Sequence, residues 1–208
     1  VREIPLDLVW SPGFAVVQKR RNVKALHEAA RAAGYSPVLE VSTKSEEKVG
    51  QHLSAFHLKV RTESLGDIPL ECAFQGSKVF DRGGPYTDLY SADVRAAKRY
   101  PRLLQSGGLA GFRFEEHSFP LEPKTVFYDW LYINAIFPHR DWLKERLHRY
   151  SAFSDIEFNP QRSVNCQARS CALFVALMRT DALSEAIISP AAFVAFMVSD
   201  KAQALIGD

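Results

Sequence analysis

Apolar and polar residues alternate through Ile4-Pro5-Leu6-Asp7-Leu8-Val9-Trp10, the two-residue period of a strand, and Ser11-Pro12-Gly13 closes that run with a turn. From Arg21 to Ala33 the apolar and alanine positions return at helical spacing, with Gly34 as the stop. Ser36 to Val41 reads as a second strand. Ser45 opens a polar helix, with Glu46 and Glu47 in its first turn, that runs into Leu53-Ser54-Ala55-Phe56. Leu70 to Phe80 reads as one helix, and Asp81-Arg82-Gly83-Gly84-Pro85-Tyr86 as a loop. Ala92 to Leu104 is a short basic helix interrupted by Pro101, and Gly111 to Phe119 alternates like a strand. Beyond it the pattern is helical over 125–137, 141–150, 164–178 and 189–205, with a polar and aromatic loop at 154–160. These elements predict an α+β fold: a single, mostly helical domain over 1–208 with a small sheet.

Composition narrows the class. The chain has 208 residues, 47% of them hydrophobic, enough for a core that needs neither disulfides nor metals. A formal net charge of +2 describes a near-balanced surface rather than a polycation, although a local basic patch remains compatible with nucleic acid. Cys72, Cys166 and Cys171 are odd in number and form no CxxC pair, which fits a reduced compartment. No apolar stretch approaches a membrane span and no leader pattern opens the sequence, so the expectation is a soluble, cytoplasmic protein with no membrane partner.

The common catalytic fingerprints are missing. There is no GxGxxG, no GxxxxGK[ST], no HExxH and no GxSxG, and the six histidines are scattered. No metal and no cofactor is expected. The stretch that stands out is Glu71-Cys72-Ala73-Phe74-Gln75-Gly76-Ser77-Lys78. On a helix, residues 71, 74, 75 and 78 share one face, which places a carboxylate, an amide and an amine on one stripe beside Phe74. An ordinary exposed ion pair would explain such a stripe, but its flanks are apolar or small. A glycine at position 76 disfavours a helix by roughly 1 kcal/mol relative to alanine; it makes sense where something packs closely against that turn.

The same stretch resembles the signature of the NADAR family, the ADP-ribose-related N-glycosidase superfamily, which runs Glu-His-x-x-Gln-Ala-x-Lys. Glu71, Gln75 and Lys78 fall at matching spacing, and Leu53-Ser54-Ala55-Phe56 is similar to the family's Phe-Ser-Asn-Phe element. Downstream, Asp155-Ile156-Glu157-Phe158-Asn159 and then Ser163-Val164-Asn165 are similar in order to its Asp-x-x-Trp-Gly and Gly-x-Asn elements. The resemblance spans 53–179, with 1–50 as an N-terminal extension packed on it. Three departures are visible: Cys72 stands at the family's His, Ala55 at its Asn, and Phe158-Asn159 at its Trp-Gly. The stretches 36–45, 83–90 and 127–132 resemble the antitoxin branch paired with DarT-type toxins, which ADP-ribosylate guanine in DNA.

That resemblance implies an N-glycosidase, with Glu71, Lys78 and Asp155 as catalytic residues and Ser54, Phe56, Phe74, Gln75, Asn165 and Arg162 binding substrate. Tyr86 joins this set because a Gly-Gly-Pro loop can offer its ring to a base. The implied partners are ADP-ribosylated guanine in DNA, ADP-ribose as product, and the cognate toxin. Glu71 or Asp155 would stabilise an oxocarbenium-like state or activate water. Lys78 would either neutralise a phosphate or form a Schiff base with the sugar. The helix starting near Asn165 offers a pyrophosphate seat or is merely capped by that residue. Cys72 reads as a small buried residue facing away. Two further readings remain: an N-glycosidase of a small nucleotide-derived metabolite, and a non-enzymatic module that binds ADP-ribose or a toxin.

Overall fold

The computed structural model describes residues 1–13, 15–161 and 163–207. In chain order the helices and strands are α1 (Val16–Ala32), β1 (Val38–Glu40), α2 (Lys48–His52), β2 (Lys59–Thr62), β3 (Gly66–Pro69), α3 (Leu70–Gly76) and β4 (Lys78–Phe80). A 3-10 turn at Thr87–Ser91 leads to α4 (Val94–Lys98), α5 (Arg102–Gln105), β5 (Leu109–Phe114), β6 (His117–Phe119) and α6 (Val126–Ile136). A second 3-10 turn, Phe137–His139, leads to α7 (Arg140–Leu147), β7 (Ala152–Ser154), α8 (Gln167–Arg179), α9 (Leu183–Ala186), α10 (Pro190–Met197) and α11 (Asp200–Ile206).

Helix predominates, and the strands form three small sheets. β1 pairs in parallel with β7, β2 and β3 form an antiparallel hairpin, and β4-β5-β6 is an antiparallel three-stranded sheet. The architecture is α+β, as the sequence pattern predicts.

α6 explains how these pieces cohere. Every residue from Val126 to Ile133 is buried, and a helix that is apolar all round belongs inside. It lies against α8, α3, β2 and α10. Around it Phe74, Phe112, Phe114, Phe119, Phe127 and Trp130 form one aromatic cluster, with ring centres 4.7 Å apart for Phe112–Phe127 and 5.1 Å for Phe119–Trp130. The one charge in this stretch, Asp129, accepts hydrogen bonds from Thr125, Ser170 and Arg169 at 2.6–2.7 Å. A buried carboxylate needs that full set of donors.

The local pattern misleads at identifiable places. Residues 4–10 alternate but form no strand: the segment finds no sheet edge and instead lies along the protein, with Glu3 paired to Arg169 at 3.3 Å and the Val1 amine on the Leu205 carbonyl. The helix expected from Ser45 to Phe56 is reduced to α2. The helix expected over Leu70–Phe80 stops at Gly76. There the Ser77 hydroxyl turns back onto the Ala73 carbonyl at 2.7 Å, and Lys78, Val79 and Phe80 pair with β5 instead. Segment 111–119 is a hairpin with Glu115 at positive φ. Segment 92–104 is two short helices, and 189–205 is also two, because Ser199 caps a new helix by accepting from the Ala202 N–H.

Candidate functional site

Glu71 sits in the first turn of α3, 7% exposed. Its Oε2 lies 3.2 Å from Nζ of Lys98, on α4. Lys98 also stands over the ring of Phe56, 4.6 Å from its centre, so the 53–57 loop, α3 and α4 meet at one exposed lysine. One turn on, Gln75 accepts a hydrogen bond from Lys78 Nζ at 2.7 Å, and that ammonium lies 5.0 Å from the centre of the Phe74 ring. Lys78 is therefore close to Gln75 and Phe74 although it leaves the helix: it is the first residue of β4, not the last on a helical stripe. The sharp turn between them depends on Gly76. A methyl group there would lie 2.6 Å from Tyr90 Cε1, so the glycine is demanded by close packing.

Burial pushes the Lys78 amine below the ordinary lysine range. The Glu71 carboxylate opposes that shift and the Lys98 ammonium adds to it. A half-buried lysine facing a second cation is one of the recognised ways to prepare an amine nucleophile.

The other wall is built by β7 and the loop that follows. Asp155 is raised to about 6, chiefly by burial; the Gln167 side chain and the Glu157 and Phe158 backbone N–H groups hold it lower than burial alone would. Gln167, at the start of α8, also accepts the Ala55 N–H at 2.7 Å. One side chain thus ties the loop bearing Ser54 and Phe56 to Asp155. Between the two walls lies Tyr128 of α6, fully enclosed. Its ring meets Phe74 edge-on at 5.3 Å, and its hydroxyl is pushed well up by burial, then by the Glu71 and Asp155 carboxylates.

Behind Asp155 is Glu40 of β1, only 2% exposed. It accepts hydrogen bonds from the Ser42 and Ser154 hydroxyls, both at 2.5 Å, and from the Ile156 N–H at 2.9 Å. His27 Nε2 continues the chain to Ser154 at 2.9 Å. Burial raises Glu40 to about 7 against the pull of these donors. The network grips the residues on both sides of Asp155.

The expected residues are thus gathered unevenly. Glu71, Gln75, Lys78, Phe74 and Phe56 converge, and Ser54 and Asp155 join them through Gln167. Ser54 Oγ and Asn165 Oδ1 are enclosed without a hydrogen-bond partner among the described residues. Asn165 does not cap α8; Cys166 occupies that position, without a capping side-chain bond. Its thiol is raised to about 12, chiefly by burial and then by Asp155, so it stays protonated. Tyr86 is not presented to a base. Its ring is buried under the Arg102 guanidinium at 4.4 Å, its hydroxyl meets Ser106, and its N–H holds the Gly76 carbonyl. Arg162 lies outside the described residues. Arg169 is committed to Asp129 and Glu3 rather than open to phosphate. Cys72 Sγ points to the Ala92 carbonyl, away from the carboxylate stripe.

Lys98, Tyr128, Gln167 and Glu40 were not singled out as site residues by the sequence. Lys98 carried a signal, as part of a short basic helix; Glu40 and Tyr128 fall inside the stretches 36–45 and 127–132 that resemble the antitoxin branch, without a role attached, and Gln167 carried none. Among the described residues no group of His, Cys, Asp and Glu is arranged to hold a metal ion.

A family model described as the DarT1-associated NADAR antitoxin matches residues 1–205. The chain belongs to the DarT1-associated NADAR antitoxins. No curated protein matches it. The family match begins at residue 1, so residues 1–50 belong to the pattern of this NADAR branch. No helix among the described residues is long and apolar enough to cross a membrane.

Proposed function

We propose that this NADAR protein removes ADP-ribose from guanine bases in DNA and thereby reverses the lesion made by its DarT1-type toxin. The observation that carries the reading is the division of labour between two lysines. Lys98, paired with Glu71 but exposed at the rim, has its open side available to a phosphate of ADP-ribose. Lys78 is drawn inward, with a depressed pKa, against Gln75 and Phe74. That leaves Lys78 for the sugar.

In this mechanism the Lys78 nitrogen attacks the anomeric carbon and the bond to guanine breaks, with Asp155 supplying the proton the base needs. Glu71 stabilises the positive charge that develops on the sugar. Opening of the ribose ring gives a protonated imine between Lys78 and the sugar. Water then adds, the amine departs, and free ADP-ribose is released. Gln75 and Asn165 hold sugar hydroxyls. Asp155, at about 6, has both protonation states accessible near neutral pH, as an acid that must be recharged each cycle requires.

The test is incubation with a single-stranded oligonucleotide carrying ADP-ribosylated guanine. Wild type releases ADP-ribose, Glu71→Ala and Lys78→Ala do not, and borohydride traps a covalent adduct only when Lys78 is present. Near-normal turnover by Lys78→Ala would eliminate the covalent route. Absence of release by wild type would eliminate the glycohydrolase reading.

A further inference from the structure

A cavity of about 760 Å³ opens beside the candidate site, bounded by α6, β2, the Phe137–His139 turn and α7. Its floor includes the buried side chains Leu58, Ile136 and Leu143. Its rim carries the exposed residues His57, Lys59, Arg61, His139 and Trp142. Among the described residues the only carboxylate on the lining, Asp67, is 3.2 Å from Arg61, leaving Lys59 as the net charge and three histidines, His52 included, near it. Trp142 is 41% exposed and has the Arg146 guanidinium 4.2 Å from its ring centre.

The cavity adjoins the site through two shared elements. Ser54 and Phe56 of the 53–58 segment belong to the site, while Leu53, His57 and Leu58 line the cavity. Tyr128, Tyr132 and Ala135 fall at offsets of zero, four and seven, on one face of α6. Tyr128 packs edge-on against Phe74 of the site at 5.3 Å, Tyr132 stacks on Tyr128 at 6.4 Å and donates to the Leu53 carbonyl, and Ala135 lines the cavity. From Tyr128 to Ala135 the helix advances about 10 Å.

We infer that this cavity is a subsite for the single-stranded DNA next to the modified guanine, taking an unstacked neighbouring base against Trp142 and the apolar floor and its phosphate at Lys59. The inference rests on the functional reading above for the identity of the strand. The chemistry is the match. An unstacked nucleobase has two apolar faces and a polar edge, and a strand adds one negative charge per nucleotide; an apolar floor, an indole and a cationic, imidazole-rich rim answer each of these. A base still inside a duplex would not present a face to Trp142.

The test uses the full chain and a fluorescein-labelled, unmodified single-stranded DNA oligonucleotide, read by fluorescence anisotropy at several salt concentrations. Lys59→Met weakens binding about tenfold and lowers the magnitude of the salt slope by roughly 0.7, the value for one phosphate on a single strand. Trp142→Ala weakens binding about tenfold, in the range of one lost stacking contact, with an unchanged salt slope. Both variants keep wild-type release of ADP-ribose from an ADP-ribosylated guanosine monophosphate, which has no flanking strand. Wild-type oligonucleotide binding by both variants overturns the inference, as does an equal loss of release from the mononucleotide. If wild type binds the oligonucleotide through this cavity yet releases nothing from either substrate, the subsite stands and the glycohydrolase reading falls.

Discussion

Lys98 Nζ lies 3.2 Å from Glu71 Oε2 and 4.6 Å from the centre of the Phe56 ring, so one exposed ammonium connects three segments that are far apart in sequence. Removing this charge has two readable effects. Lys98→Met removes a cation that lowers the Lys78 pKa, so that pKa rises. In the proposed mechanism Lys78 reacts as the free amine, and the acid limb of the kcat/KM profile therefore moves to higher pH. Loss of the phosphate contact proposed for Lys98 also weakens ADP-ribose binding by about tenfold, the scale of one charge-assisted hydrogen bond. Rate measurements across pH and a titration with ADP-ribose check both.

Gln167 bridges the Ala55 N–H and Asp155, and it is among the groups holding Asp155 near 6. Gln167→Ala lets burial raise Asp155 further, so the alkaline limb of activity that depends on protonated Asp155 moves to higher pH. The Ala55 N–H also loses its acceptor, which destabilises the protein by about 1–3 kcal/mol. A pH–rate profile with a thermal melt separates the electrostatic from the structural part.

Glu40 produces a stability signature with a definite sign. Its folded value, about 7, is above its ordinary 4.5, so the folded state binds the extra proton. The stability due to the protonated form is complete below about 4.5 and is lost as pH rises through about 7, amounting to about 3 kcal/mol. Glu40→Gln keeps an acceptor for Ser42 and the Ile156 N–H and offers its amide to Ser154. Its melting temperature therefore falls less than that of wild type between pH 5 and pH 8. Parallel pH dependence in the two proteins would show that Glu40 does not take up the proton.

Gly76→Ala brings a methyl to 2.6 Å from Tyr90 Cε1 and 2.7 Å from Cδ1, both atoms of a buried ring. Overpacking destabilises by about 1–3 kcal/mol, against about 1 kcal/mol gained from helix preference. The net effect is a lower melting temperature, and adding Tyr90→Leu recovers part of it. Because the Tyr86 N–H holds the Gly76 carbonyl at 2.7 Å, the shift also disturbs the turn that delivers Lys78.

The hydrophobic pattern was sufficient for the long helices, because α1, α6 and α8 are written in local periodicity and need no distant partner to be recognised. The aromatic run 125–137 reads as a helix, and the structure buries every residue of it from Val126 to Ile133. Spacing also picked out Glu71, Gln75 and Lys78, and the glycine between them. The helical stripe was nevertheless the wrong geometry. Lys78 reaches Gln75 from a strand, since pairing with β5 competes successfully with one more turn of helix after Gly76.

What the sequence by itself determined is the α+β character, the family and the chemical types at the site: a carboxylate, an amide and an amine in the order the NADAR signature requires. Tertiary structure alone decided that Lys98 meets Glu71, that Gln167 clasps Ala55 and Asp155, that Glu40 is sealed behind β7, and that Tyr86 is covered rather than open. Each of these joins residues far apart in the chain. Periodicity reports which face of an element is apolar, but not which element will be folded against it.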